Sequence, residues 1–347
     1  MSYILILFFG FFTSLVLTYS TIKWAKKKQI FESTDERKIH TEKVSALGGI
    51  GLFISFWAMM FLLDIRIEIS LPIFFATSLL FAAGMIDDLM DAGILSRLFL
   101  QSLAGFIACY AGFHFTISTG EWSLLINYGS SILFVMLLIN SVNFIDGING
   151  LVGGLGIITM TVFGGLFYLI GMFDLVLISA VLIVALFGFL MFNYGEQAAI
   201  FMGDNGSTVL GFLMSILAMK ASQFVAINEV VSNWILIGVV LSIPVIDLFA
   251  VVFLRMYKGS SPLVADRIHI HHLITDSGLT HPESCHVIWS WVILLLIVGC
   301  LPIELPVFAI VLCSYLLVRT KYTYATAVVL SVDLKEEKQK LPPPLSA

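Results

Sequence analysis

Two adjacent carboxylates, Asp87 and Asp88, close an apolar stretch of this sequence, and a third acid, Asp91, follows three residues later. If a helix continues through them, Asp88 and Asp91 share one face and Asp87 points elsewhere. Neighbouring carboxylates repel each other, and the negative C-terminal end of a helix disfavours them further. The pattern therefore favours a cation bound beside the acids, with a solvated helix end as the alternative.

An amide-rich segment, residues 140–150, interrupts the apolar pattern further along the chain. Its glycines permit tight or left-handed backbone, and its amides offer paired donors and acceptors for a planar base or a sugar. A simple turn needs only one Asn-Gly or Asp-Gly pair, so the segment favours a binding or catalytic role. Its polar side chains include Asn140, Asn143, Asp146 and Asn149.

Asp204 stands in a glycine-flanked turn, Gly203-Asp204-Asn205-Gly206-Ser207, directly before another apolar stretch. At the start of a helix it could serve as an N-cap. The functional alternative is a metal ligand placed beside substrate phosphates, which helix N-termini also attract.

Three histidines in four residues, His269, His271 and His272, follow Arg267 in a polar loop. A zinc site is disfavoured, because no cysteine accompanies the histidines and their spacing is too tight for the usual tetrahedral arrangement. Imidazole and guanidinium donors better suit a diphosphate or sugar hydroxyls.

Asp247 lies within an otherwise apolar stretch, shortly after Pro244. Acids inside apolar spans are rare, and they either pair with a partner or mark a functional site. The sequence leaves a functional and a structural role for Asp247 equally open.

The elements that must position these residues are membrane helices. Of the 347 residues, 59% are hydrophobic and 12% charged, whereas soluble domains carry about a quarter charged residues. A helix that spans hydrocarbon needs about 20 apolar residues, and about eleven such stretches recur. We expect an all-α, polytopic membrane protein whose helices cover approximately Tyr3–Ile22, Leu47–Leu63, Pro72–Ile86, Leu98–Phe115, Leu124–Ser141, Gly153–Gly171, Leu175–Phe192, Ser207–Val225, Trp234–Phe253, Val287–Leu301 and Val307–Val318.

Basic residues fix the expected orientation. A lysine cluster, Lys23 and 26–28, follows the first apolar stretch, which is the reverse of a cleavable signal peptide. The positive-inside rule places this cluster in the cytoplasm and the N-terminus outside, so that about eleven crossings leave the C-terminus inside. We expect a membrane domain over 1–325 and a cytoplasmic, disordered tail over 326–347.

Taken together and in order, these motifs resemble the polyprenyl-phosphate N-acetylhexosamine-1-phosphate transferases, the family of WecA, TagO and MraY. No one motif is decisive, but five in order are. The His-Ile-His-His form resembles the branch that uses simple UDP-N-acetylhexosamines, so UDP-N-acetylglucosamine is the favoured donor. The motifs are Arg37-Lys38-Ile39-His40 before Gly48-Gly49, Asp87-Asp88-x-x-Asp91, Asn143-x-x-Asp146-Gly147, Gly203-Asp204-x-Gly206-Ser207 and His269-Ile270-His271-His272.

Two positions depart from the family's pattern. Relatives often carry a Lys-Pro-x-Pro pattern where this chain has residues 42–45, Glu-Lys-Val-Ser. Asn149 stands where bacterial relatives commonly have aspartate. Because an amide oxygen still accepts a hydrogen bond from the uracil N3 proton, nucleotide binding is expected to survive this change.

The resemblance implies Mg²⁺-dependent transfer of a sugar-1-phosphate from a UDP-sugar to undecaprenyl phosphate, with release of UMP; Mn²⁺ is an acceptable substitute. It implies Asp87, Asp88 and Asp146 as catalytic residues, and Asp204, assisted by Asn143 or Asp88, as the metal ligand. Substrate binding falls to Lys38, Asn143, Asn149, Arg267, His269, His271 and His272. The product is the first lipid-linked intermediate of a cell-envelope polysaccharide, made at the cytoplasmic side of the bacterial inner membrane.

A secondary transporter is the main alternative function, because many helices, Asp247 and glycine-interrupted spans also fit transporters. Transporters place such groups near the midplane and usually show internal repeats, whereas here the acids lie at helix ends. A structural scaffold would need neither the histidines nor the paired acids. The bilayer is an expected partner, nucleic acid is not, and the sequence leaves a homodimer open.

Overall fold

A computed structural model describes residues 3–31, 44–63, 65–90, 93–224, 233–261, 267–300 and 307–340. Within these ranges the chain forms helices and no strand, which confirms the all-α prediction. The helices are α1 (Tyr3–Lys28), α2 (Gly48–Leu62), α3 (Ile67–Met90), α4 (Ile94–Tyr110), α5 (Ser123–Ile145), α6 (Leu151–Leu169), α7 (Phe173–Asn193), α8 (Asp204–Ser222), α9 (Asn233–Val240), α10 (Ser242–Tyr257), α11 (Ile270–Asp276), α12 (His281–Gly299) and α13 (Val307–Lys340).

The protein is a multi-pass membrane protein. Six helices of the described ranges are long and apolar enough to cross a bilayer, namely α1, α3, α5, α6, α7 and α12, and a seventh span results if α9 and α10 count as one. Each of the eleven predicted stretches overlaps a helix. The number of eleven crossings and the sides of the two termini stay predictions, as does the division between 325 and 326, across which the backbone of α13 is helical.

One predicted span is not a single helix. The stretch from Trp234 to Phe253 divides into α9 and α10, whose axes differ by 62°. Pro244 lies in the first turn of α10, where it is tolerated, but its missing N–H and its ring cannot continue the preceding helix. The chain therefore ends α9 and starts a new helix in another direction.

α8 is the central helix, and every residue from Asn205 to Met219 is buried. It contacts α2, α3, α5, α6 and α9. Glycines permit the closest approaches, because a methyl group at Gly84 of α3 would lie 2.6 Å from the Asn205 Cα atom. This packing brings the last turn of α3, which carries the paired acids, to the first turn of α8.

Candidate active site

Asp88 caps the N-terminus of α8 from the neighbouring helix α3. Its Oδ1 accepts from the Asp204 backbone N–H at 2.9 Å, and its Oδ2 accepts from the Asn205 backbone N–H at 2.9 Å and from the Asn205 side chain. A carboxylate at this position satisfies amides that a helix start leaves without partners and compensates the positive end of the dipole. The N-cap residue itself is Gly203, whose φ of 72° suits glycine.

The cap frees Asp204 for another role. Asp204 was considered as an N-cap, but its side chain makes no capping hydrogen bond. Instead its Oδ1 accepts from Asn143 Nδ2 at 2.6 Å, and its Oδ2 lies 3.4 Å from Arg97 Nη1. The side chain is about one quarter exposed, at 26%. Asp204 is therefore held at the mouth of a polar cluster with carboxylate surface open to a ligand.

Asp87 completes this cluster through an arginine that sequence reasoning missed. Asp87 Oδ2 accepts from Arg97 Nη1 at 2.7 Å, and only 9% of its side chain is exposed. Arg97 lies in the first turn of α4, across the short connection from α3. The signal in the sequence is an acid just before, and a base just after, a short link between two helices that pack together.

The residues of this cluster fit a magnesium ion. Among the described residues, no three His, Cys, Asp or Glu side chains form a group that could enclose an ion. Mg²⁺ does not need such a group, because it binds through one or two carboxylates and keeps waters or phosphate oxygens as its other ligands. Asp204 offers such a carboxylate, and Asn143, which donates to it, has an amide oxygen left to coordinate. Asp88 is less suited, because three hydrogen bonds use most of its acceptor capacity.

The amide-rich segment and the histidine loop meet at Gly147. A methyl group at Gly147 would collide with His271 Nε2, so the absence of a side chain lets the imidazole approach. Asp146, the C-cap residue directly after α5, lies next to this contact in the chain. Two motifs separated by more than one hundred residues are thus in contact.

His271 is buried and His272 is partly buried, and their surroundings favour the neutral form of both imidazoles. Burial and the nearby His272, His269 and Arg267 charges hold the pKa of His271 well below its usual value. Burial, followed by the charge of Arg267, lowers the pKa of His272 to about 4. Within the described part of the chain, three buried ring nitrogens have no hydrogen-bond partner. They are Nδ1 and Nε2 of His271 and Nδ1 of His272. Buried polar atoms without partners are rare, so these nitrogens mark a place where a polar ligand would bind.

His269 has a different environment from the other two histidines. Its Nδ1 lies 2.7 Å from Asp247 Oδ2, and Arg255 approaches its Nε2 at 3.4 Å. Asp247 also accepts from the Ile270 backbone N–H at 2.9 Å and from the Tyr315 hydroxyl at 2.7 Å. The structure thus supports the structural role of Asp247, which fixes the tautomer and direction of His269.

The C-terminal helix α13 holds the same loop. Arg319 Nη2 donates to the Ile268 carbonyl at 2.6 Å, and Arg319 Nη1 lies 3.4 Å from Asp247 Oδ1. Arg267 pairs at the edge of the loop with Asp276, with 2.5 Å between Nη2 and Oδ1. The histidine loop is therefore fixed from α10 on one side and from α13 on the other.

Asn149 is almost fully buried, at 3% exposure. Its Nδ2 donates to the carbonyls of Gly195 and Glu196 at 3.0 and 3.1 Å, and its backbone N–H donates to His281 Nδ1 at 3.2 Å. Because an aspartate could not donate to these carbonyls, the amide suits the loop that this chain has. Its expected contact with a nucleotide stays a prediction, for which Oδ1 is the remaining group.

Gly48 and Gly49 pair through their backbone with the segment that precedes Asp204. The Gly48 and Gly49 N–H groups donate to the carbonyls of Phe201 and Met202 at 2.9 and 3.0 Å. This pairing lies directly before Asp204. Lys38, predicted to bind substrate, and Asp91 lie outside the described residues, as does the rest of the Arg37–His40 motif.

Comparison with known proteins identifies the family of this chain. The sequence model of glycosyl transferase family 4 matches residues 70–222. A protein of Yersinia pestis named undecaprenyl-phosphate alpha-N-acetylglucosaminyl 1-phosphate transferase is 30% identical over 305 residues, which cover 84% of this chain and 82% of the relative. The chain belongs to this family. It is therefore a phosphotransferase.

Two other family members show the same extent of similarity. The Escherichia coli K12 protein of the same name is 29% identical over 302 residues, covering 84% of this chain and 81% of the relative. The decaprenyl-phosphate N-acetylglucosaminephosphotransferase of Mycolicibacterium smegmatis is 27% identical over 322 residues, covering 81% and 78%. The region matched to glycosyl transferase family 4 runs from within α3 to the end of α8, and it contains the whole acidic cluster with Arg97.

Proposed function

We propose that this protein transfers N-acetylglucosamine-1-phosphate from UDP-N-acetylglucosamine to undecaprenyl phosphate, with Mg²⁺, and releases UMP. The product would be the first lipid-linked intermediate of a cell-envelope polysaccharide, formed on the cytoplasmic side of the inner membrane. The observation that carries the proposal is the convergence of Asp87, Asn143 and Asp204 at the N-terminus of α8. The names of the relatives supply the acceptor and the transferred group.

The acidic cluster would hold a cation that screens the negative charge of the two anionic substrates. Asp204 and Asn143 would hold the magnesium ion, which when bound screens the diphosphate and the charge that develops on the departing UMP. Asp88 would act indirectly, because its cap keeps the first turn of α8, and with it Asp204, in place. Asp87 would orient the lipid phosphate and accept its proton where that phosphate arrives protonated.

Transfer in one step needs no group other than these. An oxygen of undecaprenyl phosphate attacks the phosphorus that carries the sugar, and the bond from that phosphorus to the oxygen shared with UMP breaks. Undecaprenyl-diphosphate-N-acetylglucosamine and UMP result, so that no atom is left over. We prefer this direct displacement to an aspartyl-phosphate intermediate, because Asp87 is tied to Arg97 and Asp88 to the backbone of α8.

The histidine loop would hold the donor. A neutral imidazole has one N–H donor and one acceptor, so His271 and His272 together can bind both phosphate oxygens and sugar hydroxyls. Their buried ring nitrogens without protein partners would form these hydrogen bonds to the donor. Asn149 would contribute to the nucleotide pocket, and Asp146 would lie where the diphosphate passes.

The test is a defined assay with purified protein in nanodiscs, undecaprenyl phosphate and a panel of UDP-sugars, with and without Mg²⁺. UMP release with UDP-N-acetylglucosamine, dependent on Mg²⁺ or Mn²⁺, is the expected result. Asp204→Asn is expected to lower kcat at least about 100-fold, as the loss of a group that stabilises transition-state charge does. Asp174→Asn is the matched control. Asp174 lies in the first turn of α7 and pairs with the exposed Arg66, whereas the last turn of α7 lies on the side of the site. Absence of UMP with every donor would contradict the proposal and favour transport.

A further inference from the structure

Arg97 supplies a positive charge between two acids of the proposed site. Its Nη1 lies 2.7 Å from Asp87 Oδ2 and 3.4 Å from Asp204 Oδ2. About one third of the side chain is exposed, at 34%, so the guanidinium also reaches the opening of the cluster. The cation that the paired acids require is therefore provided by the chain itself when no metal is bound.

The position of Arg97 in its helix does not serve helix stability. Arg97 lies in the first turn of α4, which begins at Ile94. A cation in the first turn opposes the helix dipole, which favours negative charge there. The interaction that compensates this cost is the contact with the acids of α3 and α8, so Arg97 is placed for the site and not for α4.

The same turn of α4 also faces lipid. Leu95 and Phe99, two residues to either side of Arg97, are 83% and 65% exposed. Residues two apart in a helix point to nearly opposite sides. α4 therefore separates the acidic cluster, on the side of Arg97, from the exposed apolar surface along which a polyprenyl chain would approach.

We propose that Arg97 exchanges partners during the reaction. Without metal it neutralises Asp87 and Asp204, and once a divalent cation is held by Asp204 it leaves that carboxylate and donates to a phosphate oxygen of a substrate. The proposal rests on the proposed function and adds the residue that receives the phosphate. The polyprenyl phosphate is the source that the position of α4 favours, and the diphosphate of the donor has the same chemistry.

The geometry decides which contact is released. The contact to Asp204 is the longer and weaker of the two, and a divalent ion on Asp204 would repel the guanidinium. The shorter bond to Asp87 keeps Arg97 in place. A guanidinium carries five N–H donors, so it can hold Asp87 and a phosphate at the same time.

The experiment measures metal binding and kinetics separately. Mn²⁺ binding to the purified full-length protein, without substrate, is measured by electron paramagnetic resonance for wild type, Arg97→Gln and Arg97→Lys. Arg66→Gln is the matched control, because Arg66 forms the exposed ion pair with Asp174 away from the site. The KM values for undecaprenyl phosphate and UDP-N-acetylglucosamine are measured for the same proteins.

Opposite effects on metal and substrate are expected. Arg97→Gln should bind Mn²⁺ on the order of tenfold more tightly, because a competing positive charge is gone. Its KM for undecaprenyl phosphate should rise about ten- to one-hundredfold, as expected for loss of a hydrogen bond between charged groups. Arg97→Lys keeps the charge and should bind Mn²⁺ like wild type.

Each outcome decides the proposal. A rise confined to the KM for UDP-N-acetylglucosamine would support the anchor and assign it to the donor diphosphate. Weaker Mn²⁺ binding in Arg97→Gln would overturn the exchange, because it would mean that Arg97 only holds the acids in place. Unchanged KM values for both substrates would overturn the anchor. If wild type forms no UMP, the proposed function fails, whereas the Mn²⁺ measurement still tests the competition by itself.

Discussion

Replacing Asp247 by asparagine should loosen the histidine loop. The Asp247 carboxylate accepts from four donors, and it is 1% exposed. The donors are His269 Nδ1, the Ile270 N–H, the Tyr315 hydroxyl and, at 3.4 Å, Arg319 Nη1. Asn has the same shape but turns one oxygen into an NH₂ group, so at least one donor faces another donor. It also leaves the nearby Arg319 without a compensating charge.

The size of the effect follows from burial. Breaking a buried charged pair by removing one partner costs about 3–5 kcal/mol. With an unfolding entropy of about 2.1 cal/mol/K per residue and 347 residues, this cost lowers the midpoint of thermal unfolding by about 4–7 °C. Tyr315→Phe removes one hydrogen bond and keeps the charge, so its cost should be about 1 kcal/mol, near 1–2 °C.

The assay combines thermal unfolding in nanodiscs with steady-state kinetics. Because Asp247 acts through His269, Asp247→Asn should raise the KM for UDP-N-acetylglucosamine more than the KM for undecaprenyl phosphate, by about tenfold. Asp174→Asn, at an exposed ion pair, is the control and should change neither. A midpoint and KM values like those of wild type in Asp247→Asn would refute the assignment of Asp247 as the residue that positions the loop.

Four further predictions concern the same end of the bundle. Gly147→Ala should displace His271, lower stability by about 1–3 kcal/mol and weaken donor binding, whereas Gly165→Ala, where nothing lies within 4 Å, should do neither; calorimetry compares them. Asn149→Asp should destabilise the loop of Gly195 and Glu196, because a carboxylate would face two carbonyls, and Asn149→Ala should be milder; limited proteolysis of this loop measures the difference. Since the folded pKa of His272 is about 4 and the unfolded value is about 6.5, the unfolded chain binds more protons. Stability should therefore fall by up to about 3 kcal/mol as pH drops from 6.5 towards 4, and His272→Asn should remove this part. A phosphate beside the imidazoles raises their pKa, so donor binding at pH 6 should take up protons, measured by titration calorimetry in buffers of different ionisation enthalpy.

The helices could be predicted because the bilayer leaves few alternatives. A stretch such as Leu175 to Phe192, apolar throughout, must satisfy its backbone hydrogen bonds internally, so it forms a helix. The exact ends were less predictable, as α3 continues through both paired acids to Met90. The break before Pro244 was missed because hydropathy does not register the missing N–H group.

The convergence of several predicted residues could be expected from the sequence, whereas their individual contacts could not. Asp87, Asp88, Asn143 and Asp204 do converge, since each ends or begins a helix at the same end of the bundle. That Asp88 caps α8 could not be read from the sequence, because its partners lie more than one hundred residues away. Arg97 was missed for a different reason, because its bond to Asp87, ten residues earlier, forms only when α3 and α4 pack together across their short connection. His269 could be separated from His271 only through its contact with Asp247.

The cap on α8 also limits the chemistry of inhibitors. Many enzymes bind phosphate mimics on the free amides of a helix N-terminus, but here Asp88 already occupies the amides of Asp204 and Asn205. An inhibitor cannot gain affinity there without displacing a partly buried carboxylate that two backbone amides hold. Selective compounds for this protein should therefore carry metal-chelating groups aimed at Asp204 or hydrogen-bonding groups aimed at His271 and His272, while acidic phosphate substitutes alone should bind poorly.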